Sequence, residues 1–318
     1  MKAAMINGSG EAPVYGEFAW PVASDGQLLV NVSAAALSQL SKFRSMGGHY
    51  SSSGAQYPIV AGADGVGTLQ DGTRVYFAMP VAPYGSLAEQ TLVRKHMLIR
   101  LPDGLDDVTA AAIVNPGMSA WAALVYRAHF KPGQTVLING ATGSSGSLAV
   151  QIARCLGAGK IIVTGRSESR LRAQDADAVV AFDMTAEGGD LAFIDALKPV
   201  VAEGVDVVLD YLWGDSAVAI MSAIAQTVEG HPTCFVSIGT ASGQESVNLP
   251  SAILRASSIQ LLGSGGRSVS QADLLDSARS VLDLAAKGRL KILMKEYALQ
   301  DIETAWQAPL TPRPVIRI

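Results

Sequence analysis

The chain has 318 residues and a mass of 33.0 kDa; 49% of its residues are hydrophobic, 16% are charged, and mean hydropathy is +0.27. That balance excludes an intrinsically disordered chain, which is poor in apolar residues and rich in charge. The formal net charge of -4, from 28 acidic and 24 basic residues, leaves no electrostatic footprint for nucleic acid or an anionic membrane. Two cysteines, Cys155 and Cys234, cannot build a disulfide framework or a four-cysteine zinc lobe, and both read as small buried residues.

The opening MKAAMINGSG lacks a basic stretch followed by an apolar run, so it reads as a first strand and not as a signal peptide. Short strand-like runs follow at 27–34, 65–68, 74–78 and 86–93, separated by the turn signals Asp25-Gly26, Asp71-Gly72, Pro83 with Gly85, and Asp103-Gly104. Short, irregularly spaced strands predict a β-rich domain, a partial barrel. From about residue 116 the character changes. Strands at 135–139, 160–164, 178–182, 205–210 and 233–238 alternate with helices at 145–156, 167–174, 190–198 and 216–226. Such alternation predicts a parallel sheet with helices on both faces, and near-continuous apolar runs fit strands buried on both sides. A strand at 258–263, an amphipathic helix at 271–286 and a terminal strand at 315–318 complete the chain. No run of about 18 apolar residues is seen, so no membrane span and a cytoplasmic location are expected.

The strongest local signal is TVLINGATGSSGSLAVQIARCLGAGKIIVTGR, residues 135–166. A strand ends at Asn139, Gly140, Gly143 and Gly146 follow at three-residue spacing, and a helix opens. Glycine lets the backbone turn sharply and lets a pyrophosphate approach main-chain N–H groups, while the helix N-terminus adds donors and a positive partial charge. The turn residues Gly140, Ala141, Thr142, Gly143, Ser144, Ser145 and Gly146 are therefore candidate cofactor contacts. An NAD site places Asp or Glu at the end of the second strand, on the ribose 2′-hydroxyl. Here Gly165, Arg166 and Ser167 stand there, with Arg170 one helical turn on. A guanidinium matches a 2′-phosphate by charge-assisted hydrogen bonds, so the expected cofactor is NADP(H); the alternative for Arg166 is a solvated loop residue. Other contacts are expected where strands end: Asp183, Tyr211, Ile238, Gly239, Thr240 and Gly263. For the glycines 263, 265 and 266 a plain hinge or turn is the alternative.

The glycine turn behind a β-rich first domain, with a strand returning at the C-terminus, resembles the medium-chain dehydrogenase/reductase superfamily, in particular its zinc-free, zeta-crystallin-like quinone oxidoreductase branch. The resemblance also rests on Gly62-Ala63-Asp64-Gly65-Val66-Gly67, Tyr84-Gly85-Ser86-Leu87-Ala88-Glu89, Leu101-Pro102-Asp103-Gly104, Lys131-Pro132-Gly133 and Val205-Asp206-Val207-Val208-Leu209-Asp210, in that order. It implies an α/β fold: a Rossmann doubly wound parallel sheet at 117–265 and a β-rich, GroES-like partial barrel from 1–116 with 266–318. It also implies hydride transfer from NADPH to a quinone or an α,β-unsaturated carbonyl, and a homodimer joined through the edge strand at 258–263.

Where zinc members carry a catalytic Cys this chain has the segment Ala35-Ala36-Leu37-Ser38, and Ala63-Asp64 replaces their His-Glu pair. His49, His96, His129 and His231 are scattered without metal-ligand spacing, so no metal is expected. The branch typically has an Asn near Ser38 and a Tyr near Phe43, and this chain has neither. The pocket candidates are Ser38, Tyr50 and Asn115. Tyr50 is either a pocket phenol or a surface-loop tyrosine. Asn115, in Val114-Asn115-Pro116-Gly117, either bonds a ligand or ends a helix in a turn. Ser119 resembles a cofactor-facing residue of relatives, and Asp64 is either a pocket wall or a turn carboxylate. Two alternatives stay open: an enoyl-thioester or other alkene reductase of the same superfamily, and a non-catalytic NADPH-binding sensor.

Overall fold

The structure is a computed structural model and describes residues 1–45 and 56–318. Its described residues form two compact units, one of residues 1–115 with 278–318 and one of 116–277. The first boundary falls inside a helix, between Asn115 and Pro116; the second falls at Ala278 rather than at 266.

The first unit begins with β1 (Lys2–Ile6), β2 (Val14–Glu17), β3 (Gln27–Ala36), α1 (Gln39–Ser45), β4 (Ile59–Val60), β5 (Asp64–Thr68), β6 (Arg74–Ala78), β7 (Gln90–Arg94) and β8 (Leu98–Arg100). Strands β2, β4 and β8 are not visible as strands in the sequence because each has four residues or fewer, too short to show alternation. The run expected at 86–93 becomes a strand only from Gln90. Its first residues are claimed elsewhere: Ala4 N donates to Leu87 O, Leu87 N to Ala61 O and Glu89 N to Lys2 O. Strand β3 is the organiser. Its N-terminal part pairs with β7, its middle with β5, and its last residues with the returning C-terminal strand.

Helix α2 (Asp107–Ala122) continues through a π-helical stretch, Ala123–Arg127. The helix does not end at Asn115-Pro116-Gly117, as a turn there would require; Pro116 lies inside it. Proline removes one hydrogen bond and crowds the preceding turn. Burial of Ala110 to Val114 before it, and of Ala120 and Ala122 to Leu124 after it, carries the helix through. The 21 residues 107–127 are also long and apolar enough to cross a membrane, contrary to the sequence reading; the most apolar stretch has mean hydropathy 1.4, and 67% of it is buried inside the fold. Its apolarity is that of a core helix.

The second unit holds β9 (Thr135–Asn139), α3 (Ser144–Cys155), β10 (Lys160–Gly165), α4 (Glu168–Arg172), β11 (Ala178–Ala181), α5 (Gly189–Val201), β12 (Val207–Asp210), α6 (Asp215–Thr227), β13 (Thr233–Ser237), α7 (Ser251–Arg255), β14 (Ile259–Gly263) and the start of α8 (Gln271–Ala286). The six strands are all parallel, in the order β11-β10-β9-β12-β13-β14. The order reverses at β9, so the crevice beyond its carboxyl end is where a doubly wound sheet binds ligands. One face packs α5 and α6 through Phe193, Leu197, Ile220 and Ile224 against Leu137, Val208 and Phe235.

The chain then returns with β15 (Met294–Ala298), α9 (Ile302–Gln307) and β16 (Arg313–Arg317) to the first unit. Strand β15 escapes the sequence reading because it is a largely exposed sheet edge with few apolar residues. Leu299, Ile302, Ala305 and Trp306 pack with Ala4, Ile6, Leu37 and Ile316 into one cluster.

Candidate cofactor-binding site

Beyond Asn139 the chain turns at Gly140, whose φ is +90°, a region that costs most L side chains energy. Gly140 N and Ala141 N both donate to Thr164 O, at 3.0 and 3.2 Å, which ties the turn to the end of β10. Gly146 is required for a different reason. A Cβ there would lie 2.3 Å from Gly140 O and 2.7 Å from Ala141 Cα, so α3 starts in backbone contact with the turn. At Gly143, in contrast, a Cβ would meet only Gly140 O, at 3.8 Å. The N-cap residue of α3, Gly143, makes no side-chain capping bond. Open space above Gly143 beside this helix start fits a phosphate group.

A buried polar network supports the turn from below. Asn139 Nδ2 donates to Asp210 Oδ1 at 2.9 Å and to Ser216 Oγ at 3.0 Å, and its Oδ1 accepts from Thr164 Oγ1 at 2.8 Å. Asp210 also accepts the main-chain N–H groups of Leu212 and Trp213. Burial pushes the Asp210 carboxyl above its ordinary range, and these donors pull it only partly back. Sequence reading found the strand ends but not this network, because its members stand on β9, β10, β12 and α6.

At the end of β10, Gly165 is buried, Arg166 and Arg170 are exposed, and Ser167 is half-buried. Arg170 Nη2 donates to Thr142 O at 2.7 Å. Asp183 is exposed just beyond β11; its Oδ1 accepts from Thr185 N and Oγ1, and these bonds hold its carboxyl below the usual range. Residues Tyr211, Ile238, Gly239 and Thr240 gather past β12 and β13, with Gly239 N donating to Asp210 O and Ala241 N to Tyr211 O. Tyr211 is buried, which pushes its phenol strongly upward. Ser119 Oγ donates to Pro116 O at 2.8 Å inside α2. Gly263 ends β14, and its carbonyl accepts from Arg127 Nε at 2.8 Å. Because the strands are parallel, the ends of β9, β10, β12, β13 and β14 all lie on one edge of the sheet.

In the first unit Ser38 is buried, and its hydroxyl is engaged as a helix cap. Ser41 N donates to Ser38 Oγ at 2.9 Å, while Ser38 N donates to Ser41 Oγ at 2.7 Å. Asn115 is half-buried within α2, and among the described residues no hydrogen bond joins it to Ser38. Tyr50 lies outside the described residues. Asp64 is buried and accepts from Tyr76 Oη at 2.9 Å. Arg313, on β16, is 4% exposed; burial lowers its pKa, and the charges of Asp64 and Tyr76 oppose that shift. The sequence gives no signal for Arg313, because only the return of the last strand brings it toward β5 and β6.

These residues do not fit a catalytic zinc ion. Ala63 is a buried methyl group, Ser38 is a cap, and among the described residues no group of three or more His, Cys, Asp or Glu could hold a metal. His96 is exposed, and His231 Nε2 lies 3.3 Å from Asp206 Oδ1.

A parallel sheet with a phosphate-cradling turn, in a chain that also builds a β-rich unit, defines a dinucleotide-binding α/β oxidoreductase. The zinc-binding dehydrogenase family model matches residues 146–282. A probable NADPH-dependent quinone reductase of Emericella nidulans is 28% identical over 96% of both chains. The quinone oxidoreductase of Pongo abelii is 30% identical over 62% of this chain and 60% of its own length. The same fold occurs in the Thermus thermophilus quinone oxidoreductase, solved also with NADPH, at TM-score 0.80 and 24% identity, and in a mycobacterial quinone oxidoreductase at TM-score 0.82 and 20% identity; each match covers 100% of both chains. The chain is thus similar, over nearly its whole length, to quinone oxidoreductase-type members of the medium-chain dehydrogenases/reductases.

Two glycine substitutions separate packing from binding. Gly143→Ala is expected to keep the native melting temperature and weaken dinucleotide binding, whereas Gly146→Ala is expected to lose stability by about 1–3 kcal/mol through overpacking, as read by urea denaturation. Asp210 gives a pH signature. Its folded pKa is raised, so its favourable contribution is complete below the ordinary value of 3.8 and is lost as pH rises through the folded value. The stability of Asp210→Asn relative to the native protein should therefore rise with pH across that interval and then level off. A difference that does not change with pH would refute the assignment.

Proposed function

We propose that the protein is a metal-independent, NADPH-dependent reductase that passes hydride to a quinone or an α,β-unsaturated carbonyl. The observation that carries the reading is the end of β10, where the first exposed side chain after the buried Gly165 is the Arg166 guanidinium and no carboxylate stands. That arrangement suits a 2′-phosphate and not a free 2′-hydroxyl. The Emericella nidulans relative, named a probable NADPH-dependent quinone reductase, supports the same cofactor.

When bound, the reduced nicotinamide supplies the hydride. The turn from Gly140 to Gly146 and the start of α3 hold the pyrophosphate. Arg166, Ser167 and Arg170 face the 2′-phosphate, with Asp183 nearby toward the adenosine. Tyr211, Ile238, Gly239, Thr240, Ser119 and Gly263 serve the nicotinamide half. A quinone or enone gathers negative charge on oxygen as it accepts hydride, and hydrogen-bond donors must meet that oxygen. Asn115 and Tyr50 are the donors assigned to that task; Ser38, assigned to it from the sequence, has its hydroxyl committed to Ser41. The lack of donor atoms at Ala63 supports acceptors that need no Lewis acid.

The direct test is oxidation of NADPH and NADH, side by side, in chelator-treated buffer with an ortho-quinone, a para-quinone and a simple enone. Faster loss of reduced-nicotinamide absorbance with NADPH is expected. Equal rates with NADH would remove the role of Arg166, and tight NADPH binding without turnover would favour a sensor.

The same reading includes a cytoplasmic setting and a homodimer. Strand β14 is a sheet edge and exposes Gln260 and Leu261. Pairing with a second copy would satisfy its unpaired backbone groups. Light scattering should give a dimer mass for the native protein and a monomer mass for Leu261→Lys; a native monomer at micromolar concentration refutes it.

A further inference from the structure

The glycine turn and the end of β10 lie more than twenty residues apart in sequence, yet three hydrogen bonds join them. Two run from Gly140 N and Ala141 N to Thr164 O. The third runs the other way, from Arg170 Nη2 to Thr142 O at 2.7 Å. Within the turn itself the bond from Gly143 N to Gly140 O is longer, at 3.3 Å. The arginine bond is charge-assisted and short, so it is the stronger restraint on the middle of the turn. Helix α4 does not depend on it. Arg172 and Glu168 form an ion pair along that helix, and Leu171 is fully buried beneath it.

Arg166 and Arg170 thus differ in kind. Arg166 is exposed, and its charge acts on Asp183, where it helps hold the carboxyl low. Arg170 has one N–H on the turn, and a guanidinium carries five. Its side chain remains exposed, so further donors can reach a ligand.

We infer that Arg170 is a positioning residue that couples the two phosphate-recognition elements: it holds the turn through Thr142 while its remaining donors meet the 2′-phosphate. This rests on the NADPH reading above. A ligand that pins Arg170 also pins the Thr142 carbonyl, so 2′-phosphate capture shapes the pyrophosphate turn. Such coupling is reciprocal, and a well-formed turn in turn orients Arg170.

The test compares native protein, Arg166→Ala and Arg170→Ala. Calorimetry measures Kd for NADPH, NADH and ADP-ribose, the last having a pyrophosphate but neither 2′-phosphate nor nicotinamide. Hydrogen exchange of the Gly140 and Ala141 amides is followed without ligand. Arg166→Ala should weaken NADPH about tenfold or more and leave NADH, ADP-ribose and amide exchange unchanged. Arg170→Ala should weaken NADPH at least as much, weaken NADH and ADP-ribose by about three- to tenfold, and speed exchange at the turn. Arg170→Met, which keeps the aliphatic stem, should behave like Arg170→Ala and separates the tether from lost packing. If Arg170→Ala affects NADPH alone, with exchange unchanged, the coupling is overturned while the cofactor reading stands. If the native protein binds none of the three ligands, both fall.

Discussion

The contact on which the cofactor-binding unit depends is that of α3 with the glycine turn. The helix begins so close to Gly140 that a single added carbon at Gly146 would stand 2.3 Å from the Gly140 carbonyl oxygen. That approach sets where α3 starts and so where its first N–H groups lie. It also leaves room at Gly143, which faces no such neighbour. Gly146 is needed because the protein comes close, and Gly143 leaves the space that the proposed phosphate would use.

Beneath that contact the strands are locked by polar groups as well as by apolar packing. Asn139 spans from β9 to Thr164 on β10, Asp210 on β12 and Ser216 on α6. Thr164 Oγ1 would lose its bond without it, while Asp210 keeps the N–H groups of Leu212 and Trp213 and Ser216 keeps Trp213 O; the shared amide ties these strand ends together. Its carboxylate carries a cost, visible as the upward shift at Asp210. The Asp210 backbone carbonyl also receives Ile238 N and Gly239 N, so the same residue fixes the residues assigned to the nicotinamide half.

In the β-rich unit, Ser38, Ala63 and Asp64 stand where the resemblance places the metal ligands of zinc members. Ser38 is drawn into capping α1, Ala63 is packed away, and Asp64 is held by Tyr76 with Arg313 buried in the same field. The polarity of the site is kept, while its donor atoms are committed to the protein itself. On the proposed function, an acceptor that is already electrophilic, such as a quinone, needs no metal-polarised oxygen.

The alternation of apolar runs and helical patterns was enough to read the six parallel strands of the cofactor unit. A strand buried on both faces leaves a continuous apolar word, and a glycine turn between strand and helix leaves fixed spacing. Those are local signals. The short strands β2, β4 and β8 and the edge strand β15 leave none, because their pairing comes from distant chain. Asn115-Pro116-Gly117 misleads for the same reason: read locally it breaks a helix, but burial on both sides carries α2 through it. The sequence by itself determined the parallel sheet, the glycine turn and the arginines after β10, since each follows from residues near one another. Only the tertiary structure decided that Arg170 grips Thr142, that Asn139 gathers four elements and that Arg313 comes toward Asp64. Those contacts join groups far apart in the chain, and their geometry exists only once the sheets have formed.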